Sequence, residues 1–220
     1  MPSTALLVLN PRDIPECMAA IRALDVPKCF VSYVPEIVAA ARINSVIATG
    51  DYDRYVLLSD DTVPTQDALD AVLATHDEGH PAVTGYCNLD QVLPFVNLCW
   101  NRLVPPPPTA DDYHMLTRRE VEDAAPLAPT TFAGLSLTLM AREMWQRFPL
   151  RVTEYGGQMD YVLSWELQQA CVPIVAPTAG FIHHVKERWN MFDTAPEKQL
   201  LIGRRPAAVT WEGVEGEVPG

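Results

Sequence analysis

Short apolar runs alternate with segments of helical periodicity along the first half of the chain, in the order 5–10, 15–24, 28–34, 36–50, 55–59 and 65–76. The first, third and fifth segments are typical of buried strands, and the others place apolar residues on one helical face. Strands joined by helices pack into a mainly parallel sheet that is covered on both sides. The alternation therefore predicts an α/β fold with one mixed, mainly parallel sheet flanked by helices.

The second half of the chain is interrupted by proline. Two proline-rich stretches are predicted as exposed loops, 102–112 and 124–129. Around them the pattern predicts strands at 130–140, 172–177 and 180–185, and helices at 141–148 and 156–170. The Gly- and Pro-rich segment 203–220 is predicted to be loose, so a single compact domain is expected over 1–202.

The composition predicts a single cytoplasmic domain. A length of 220 residues is enough for one substantial core, and the net charge of −12 lacks the basic footprint of a nucleic-acid-binding protein. The five cysteines are scattered without a CxxC pair, so we expect free thiols rather than disulfides or structural zinc. The chain begins without a signal-peptide pattern, and no apolar run is long enough to cross a bilayer.

Asp60 and Asp61 directly follow the apolar run 55–59, although two adjacent like charges repel each other. In α/β folds, ligands bind in the crevice beyond the carboxyl ends of the strands, which is where the sequence places this pair. Paired carboxylates suit Mg²⁺ or Mn²⁺, and such a cation can bridge to a diphosphate. A solvated polar turn explains the same residues, so the pair alone leaves both interpretations open.

Two further groups have side chains suited to catalysis or metal binding. Asp160 stands where a Gly-Gly sequence leads into a helix, which fits either a helix-start aspartate or a base that takes a proton from a hydroxyl. His183 and His184 are adjacent in a predicted strand, so their rings face opposite ways and at most one need point into a given site. Either a metal-binding imidazole or a pair of surface histidines fits this pattern.

The order of these features resembles that of the family 2 glycosyltransferases, which have the nucleotide-diphospho-sugar-binding GT-A fold. The residues that carry the resemblance are "VLNPRDIPECMAAIRAL", "AARINSVIATGDYDRYVLLSDDTVP", "FAGLSLTLMAREMW" and "GGQMDYVLSWELQQACVPIVAPTAGFIHHVK". The resemblance covers residues 6–186, most of the chain. The resemblance implies a nucleotide-sugar-binding half over 1–100 and an acceptor-binding and catalytic half over 113–190.

The resemblance implies inverting transfer of a sugar from a nucleotide diphosphate such as UDP to an acceptor hydroxyl, with Mn²⁺ or Mg²⁺ bound. Asp61 would bind the metal together with His183 or His184, and the Pro-x-Ala-x-x-x-His spacing favours His183. Asp160 would be the general base. The donor would be held by Asn10, Arg12, Tyr33, Arg42 and Asp60. The compatible acceptors are a glycan, a lipid, a protein, a small molecule or, as in some bacteriophage enzymes of this type, a modified DNA base.

Three departures from the family pattern keep other functions open. Ser59 replaces the first Asp of the metal motif, Met159 replaces the Glu before the base, and Cys171 replaces the Gly that ends the helix. A non-catalytic protein that binds a sugar nucleotide or scaffolds a partner would tolerate these changes. A nucleotidyltransferase of the same fold is a further alternative, although the chain lacks a Gly-rich, basic loop after its first strand.

Overall fold

The computed structural model describes residues 2–10, 12–32, 36–89, 94–154, 156–185 and 208–213. Its centre is an eight-stranded mixed sheet. Five strands run in one direction: β1 (Thr4–Leu9), β2 (Lys28–Ser32), β3 (Arg54–Ser59), β5 (Ala82–Val83) and β10 (Ile174–Pro177). Three run in the other: β8 (Leu127–Thr130), β9 (Ser136–Ala141) and β12 (Ala208–Glu212). The order across the sheet is β12-β2-β1-β3-β9-β5-β10-β8.

Two small sheets and six helices complete the described part of the chain. The small sheets pair β4 (Thr62–Val63) with β11 (His183–His184), and β6 (Phe95–Cys99) with β7 (Met115–Thr117). The helices are α1 (Pro15–Ala23), α2 (Glu36–Thr49), α3 (Gln66–Asp77), α4 (Arg118–Asp123), α5 (Arg142–Arg147) and α6 (Met159–Gln169). Short 3₁₀ turns lie at Ala110–Asp112 and Thr178–Gly180. Among these described helices, none combines the length and apolar character needed to cross a bilayer.

Helices cover both faces of the central sheet, which is why its inner strands are apolar throughout. In β1, Leu6 and Val8 pack into a core with α1 and α3. Leu7 and Leu9, on the opposite face, pack into a second core with α2, α5 and α6. Strands buried on both faces have no polar side to expose, so they read as continuous apolar runs. The prediction of a mixed α/β sheet flanked by helices in one compact domain is confirmed.

Local signals in the first half of the sequence are also confirmed. Thr65 caps α3, because its Oγ1 accepts a 3.2 Å hydrogen bond from the backbone N–H of Ala68. Pro15 occupies the first turn of α1, where its missing N–H costs nothing. The five cysteines are free thiols, as their scattered positions predicted.

The proline-rich stretch 124–129 departs from its prediction as a loop, because part of it belongs to the edge strand β8. Pro129 lies opposite Val175 of β10 in this strand. Proline has no N–H to donate, so it is tolerated in a sheet only where one side of the strand is unpaired. The edge position of β8 therefore accommodates a residue that sequence reasoning takes as a strand breaker.

Within the segment 203–220, the structure differs from the predicted loose tail at Ala208–Glu212. These residues form β12, which pairs antiparallel with β2 at the edge of the sheet. Trp211 of β12 stacks on Tyr52 with ring centroids 5.7 Å apart. Arg22 forms an ion pair with Glu212 at 3.1 Å. These residues form a strand because the edge of β2 is available for pairing, although the Gly- and Pro-rich composition of the segment predicts a loop.

The carboxyl ends of β1, β2 and β3 meet along one edge of the sheet. Leu9 lies opposite both Val31 and Ser59 in the parallel register, so Asn10, Ser32 and Asp60 follow at the same level. The start of α2 also reaches this edge, since α2 follows β2. Polar side chains from separate parts of the sequence are therefore gathered here.

Replacing Gly85 with alanine is expected to destabilise the fold by about 3 kcal/mol or more, because overpacking against rigid backbone cannot relax. A Cβ at this position would lie 2.5 Å from the backbone oxygen of Ser136 and 2.9 Å from that of Gly180. Gly79→Ala is the matched control: Gly79 has a φ of +101° but no atom within 4 Å of the added Cβ, so about 1 kcal/mol is expected. Urea unfolding measures the free energy of unfolding of both variants. Equal losses of stability in the two variants would contradict the steric explanation.

Candidate active site

Asp60 is buried at the carboxyl end of β3, where its carboxylate organises the loop that follows β1. Oδ2 accepts hydrogen bonds from the backbone N–H groups of Arg12 at 2.8 Å and Asp13 at 2.7 Å. Oδ1 accepts a 2.9 Å hydrogen bond from Arg12 Nη1. Burial raises the pKa of Asp60 to about 6, although the Arg12 guanidinium and the N–H donors favour the charged form. Both oxygens of Asp60 are thus engaged in holding the loop.

The Arg12 guanidinium lies beside both carboxylates of the Asp pair. Nη1 is 2.9 Å from Oδ1 of Asp60 and 3.2 Å from Oδ2 of Asp61. The same nitrogen donates a 3.3 Å hydrogen bond to Ser59 Oγ. An internal cation therefore offsets the repulsion between the adjacent carboxylates. Ser59, in place of a third aspartate, adds a hydrogen-bond acceptor here without adding charge.

Asp61 and His184 face each other although they are far apart in the sequence. The pairing of β11 with β4 sets His184 opposite Thr62, directly after Asp61. Nε2 of His184 is 3.3 Å from Oδ2 of Asp61, and Nδ1 is 3.2 Å from the backbone oxygen of Asn88. A proton on Nδ1 would donate to that carbonyl and leave the Nε2 lone pair of the neutral ring facing Asp61.

The structure records His184 against Asp61, whereas the Pro-x-Ala-x-x-x-His spacing favours His183. Its side chain is exposed, and its ring packs edge-on against Phe181 with centroids 5.2 Å apart. Successive residues of a strand point to opposite faces, so only one of two adjacent histidines can face the cleft. The register of β11 against β4 selects His184.

Asp160 is half-buried in the first turn of α6. Its Oδ1 accepts a 2.8 Å hydrogen bond from the N–H of Tyr161. The turn is anchored by Ser164, whose Oγ donates to the backbone oxygen of Asp160 at 2.6 Å and accepts from the N–H of Ala133 at 2.8 Å. The carboxylate that the sequence proposes as a base is therefore presented from a fixed helix start.

Glu36, a residue that sequence reasoning missed, connects Asp160 to the Arg12 loop. It is the first residue of α2, and the Asp160 carboxylate and the Arg12 guanidinium lie close enough to affect its pKa in opposite directions. Burial raises the pKa of Glu36, and the neighbouring Asp160 carboxylate raises it further. Since Arg12 also contacts Asp60 and Asp61, the Asp pair, Arg12, Glu36 and Asp160 belong to one region at the carboxyl edge of the sheet.

Two tyrosines lie near Asp160. Tyr113 packs edge-on against Tyr161 with ring centroids 5.2 Å apart. Burial, and then the Asp160 carboxylate, raises the pKa of Tyr113, which places this phenol near the proposed base.

Tyr161 and Gln168 of α6 hold the backbone of Leu103 and Val104 through four hydrogen bonds of 2.7–3.2 Å.

The remaining predicted donor-binding residues are placed as follows. Asn10 is buried at the end of β1, and its Oδ1 has no hydrogen-bond partner within the described part of the chain. Arg42 is half-buried on α2, six residues after Glu36, and the structure records no hydrogen bond or ion pair for it among the described residues. Tyr33 lies outside the described residues.

The chain aligns with solved structures at low sequence identity. A197 from STIV aligns with a TM-score of 0.55 and 17% sequence identity, over 80% of this chain and 82% of that one. TarS 1-349 from S. aureus aligns with a TM-score of 0.46 and 9% identity, over 90% of this chain and 69% of that one. The fold is of the GT-A type. Neither a protein-family model nor a curated protein sequence matches the chain.

The spacing of Asp61 and His184 suits two ligands of one divalent cation. Two ligands at right angles on Mg²⁺ are about 3 Å apart, and Oδ2 of Asp61 is 3.3 Å from Nε2 of His184. The hydrogen bond of Nδ1 to Asn88 orients the ring as metal-binding histidines are oriented. No cluster of three or more acidic, His or Cys side chains suited to a metal occurs among the described residues.

Proposed function

We propose that the protein is an inverting glycosyltransferase that moves a sugar from a nucleotide-diphospho-sugar to an acceptor hydroxyl. The observation that carries the proposal is the approach of His184 to Asp61 at the carboxyl edge of the sheet. Ligands of open α/β sheets bind at that edge. A carboxylate and an imidazole that share one side of a cleft suit a cation bound to a diphosphate.

Asp61 and His184 would hold Mn²⁺ or Mg²⁺, which when bound neutralises the negative charge that develops on the leaving diphosphate. Arg12 is the protein's own cation beside the same carboxylates, and a guanidinium suits phosphate oxygens because it can donate two parallel hydrogen bonds. Asn10 offers a buried oxygen with acceptor capacity to a hydroxyl or N–H of the nucleotide. Together these groups would bind and orient the donor.

Asp160 would take the proton of the acceptor hydroxyl as its oxygen attacks the anomeric carbon. The new glycosidic bond forms as the bond to the diphosphate breaks, so the configuration at that carbon inverts. The proton moves to Asp160, and the bonding electrons leave with the diphosphate. A fixed base of this kind contributes typically 10²–10⁴-fold to a rate.

Asp160→Asn is expected to lower transfer about 10³-fold while leaving donor affinity near that of the wild type, because the amide cannot accept the proton. The measurement is transfer to an acceptor panel, together with calorimetry of donor binding. Asp111→Asn, at an exposed position, is the matched control. An Asp160→Asn variant that transfers sugar at the wild-type rate would remove Asp160 from the mechanism.

Thermal-shift screening of nucleotide sugars with Mn²⁺ identifies the donor, because a ligand that binds only the native state raises the melting temperature. The screen also bears on the second candidate, a non-catalytic protein that binds a sugar nucleotide. The pairing of Arg12 with both Asp60 and Asp61 favours this candidate, since the carboxylates already have a counter-ion. Donor binding without transfer to any acceptor would support it over the transferase.

A further inference from the structure

We propose that Arg12 exchanges partners when the donor binds: its guanidinium leaves Asp61 to the divalent cation and binds the donor's diphosphate instead. The inference rests on the proposed function, in which Asp61 and His184 hold the cation. Arg12 would then be a competitor of the cation at Asp61 and, once released, a ligand of the phosphate.

Arg12 and His184 meet at one atom, Oδ2 of Asp61. Nη1 of Arg12 is 3.2 Å from this oxygen, and Nε2 of His184 is 3.3 Å from it. Mg²⁺ binds carboxylate oxygens at about 2.0–2.1 Å. A cation on Oδ2 would therefore lie within about 5.5 Å of Nη1, whatever its direction from the oxygen.

Two positive groups at this separation repel each other strongly. At about 5.5 Å the repulsion between a double and a single positive charge exceeds thermal energy even at the dielectric constant of water. The effective dielectric constant is lower here, because Asp60 and Asp61 are buried, so the repulsion is larger. Cation binding therefore favours an arrangement in which the guanidinium has left Oδ2 of Asp61.

The loop after β1 can keep its place while the guanidinium moves. Oδ2 of Asp60 holds the loop through the backbone N–H groups of Arg12 and Asp13, at 2.8 and 2.7 Å. The guanidinium is held separately, by Oδ1 of Asp60 at 2.9 Å and by Ser59 Oγ at 3.3 Å as well as by Asp61. Ser59 is neutral and adds no charge that would retain it. A quarter of the Arg12 side chain is exposed, so a ligand at the edge of the sheet can reach it.

A diphosphate replaces the negative charge that Arg12 gives up at Asp61. A guanidinium can donate two parallel hydrogen bonds to phosphate oxygens, and such charge-assisted bonds are strong. The cation releases Arg12 from Asp61, and the diphosphate binds the released guanidinium. Cation and diphosphate should consequently strengthen each other's binding, since coupling between two ligands is reciprocal.

Titration calorimetry of Arg12→Gln tests the exchange, first with Mn²⁺ alone and then with inorganic pyrophosphate at saturating Mn²⁺. Without the competing charge, Mn²⁺ alone should bind at least about tenfold more tightly than it binds the wild type. Pyrophosphate should bind at least about tenfold more weakly, because its guanidinium partner is missing. A residue that only supports the loop would not change the two affinities in opposite directions.

Two further variants separate the charge of Arg12 from its shape and from the net charge of the protein. Arg12→Lys keeps the charge without the planar guanidinium, so its Mn²⁺ affinity should match that of the wild type, whereas its pyrophosphate affinity should fall. Arg22→Gln removes an exposed arginine that pairs with Glu212. It is the matched control and should change neither affinity.

An Arg12→Gln variant that binds Mn²⁺ no more tightly than the wild type, or that binds pyrophosphate equally well, would overturn the inference and leave the proposed function intact. Wild-type protein that transfers no sugar would count against the proposed function, while the two titrations still decide the exchange. If neither protein binds Mn²⁺, both the cation site and the inference are wrong. If Arg12→Gln does not fold, Mg²⁺ is added to the wild type: the guanidinium NMR signals of Arg12 should shift, and unchanged signals at saturation contradict the inference.

Discussion

Asp61→Ala is expected to abolish cation-dependent donor binding and to lower sugar transfer at least about 10³-fold, because the diphosphate would leave without its charge being neutralised. Asp61 is the carboxylate that faces His184, whereas Asp60 is turned toward Asp13 and the loop. Asp61 also forms an ion pair with Arg12 at 3.2 Å, so a smaller loss of stability is expected beside the loss of function. Titration calorimetry of Mn²⁺ and donor, with a transfer assay, measures it.

Two matched comparisons separate a metal role for Asp61 from a general effect of charge. Asp51→Ala removes an exposed aspartate that precedes the start of β3 and should change neither donor binding nor transfer. His184→Ala should weaken Mn²⁺ binding, whereas His183→Ala, whose ring packs on Phe181, should not. If His183→Ala alone weakens the cation, or if Asp61→Ala binds Mn²⁺ normally, the site that we describe is wrong.

Asp60→Ala is expected to reduce the free energy of unfolding by about 3 kcal/mol and to weaken donor binding as well. The substitution leaves the backbone N–H groups of Arg12 and Asp13 without their acceptor, and it removes one of the two carboxylates that hold the guanidinium. Buried donors without partners cost far more than a lost exposed contact. The loop after β1 should become mobile.

Urea unfolding at neutral pH and amide exchange at Arg12 and Asp13 check this expectation. Asp60→Asn is the informative intermediate, because it keeps one acceptor oxygen and should retain part of the stability. Asp53→Ala, another aspartate beside β3 but with an exposed side chain, provides the comparison. Asp60→Ala with wild-type stability and unchanged exchange would show that Asp60 contacts the ligand and does not support the loop.

The sheet's inner strands and the helices between them could be predicted from the local sequence. A strand that is buried on both faces is apolar along its whole length, and a helix that covers a sheet is apolar along one face. β1, β3 and the capped helix α3 are examples. The edge strands could not be predicted, because their pairing partners are far away in the sequence. Their composition also points away from strands, since β8 contains proline and β12 lies in a Gly- and Pro-rich segment. β9 begins only at Ser136, later than its alternating pattern predicts, near a register shift against β3.

The candidate site also contains some residues that the sequence predicts and others that it does not. Asp61 and Asp160 could be proposed because each stands at the end or start of a recognisable element. The choice between His183 and His184 depends on the register of a two-residue strand, which spacing alone does not determine. Glu36 was missed because its neighbours Gly157 and Asp160 come from the other half of the chain. Its one local signal is an acidic residue opening the helix after β2.

The clamp of Tyr161 and Gln168 on Leu103 and Val104 has a consequence for engineering and for evolutionary change. Val104 donates the last backbone N–H before four consecutive prolines, which have none to offer. Residues inserted among 105–108 would leave all four hydrogen bonds to α6 in place. A deletion that includes Leu103 would remove its two hydrogen bonds to Gln168 of α6, the helix that carries Asp160. The proline run is therefore a tolerant position at which this scaffold can be lengthened or fused without disturbing its proposed base.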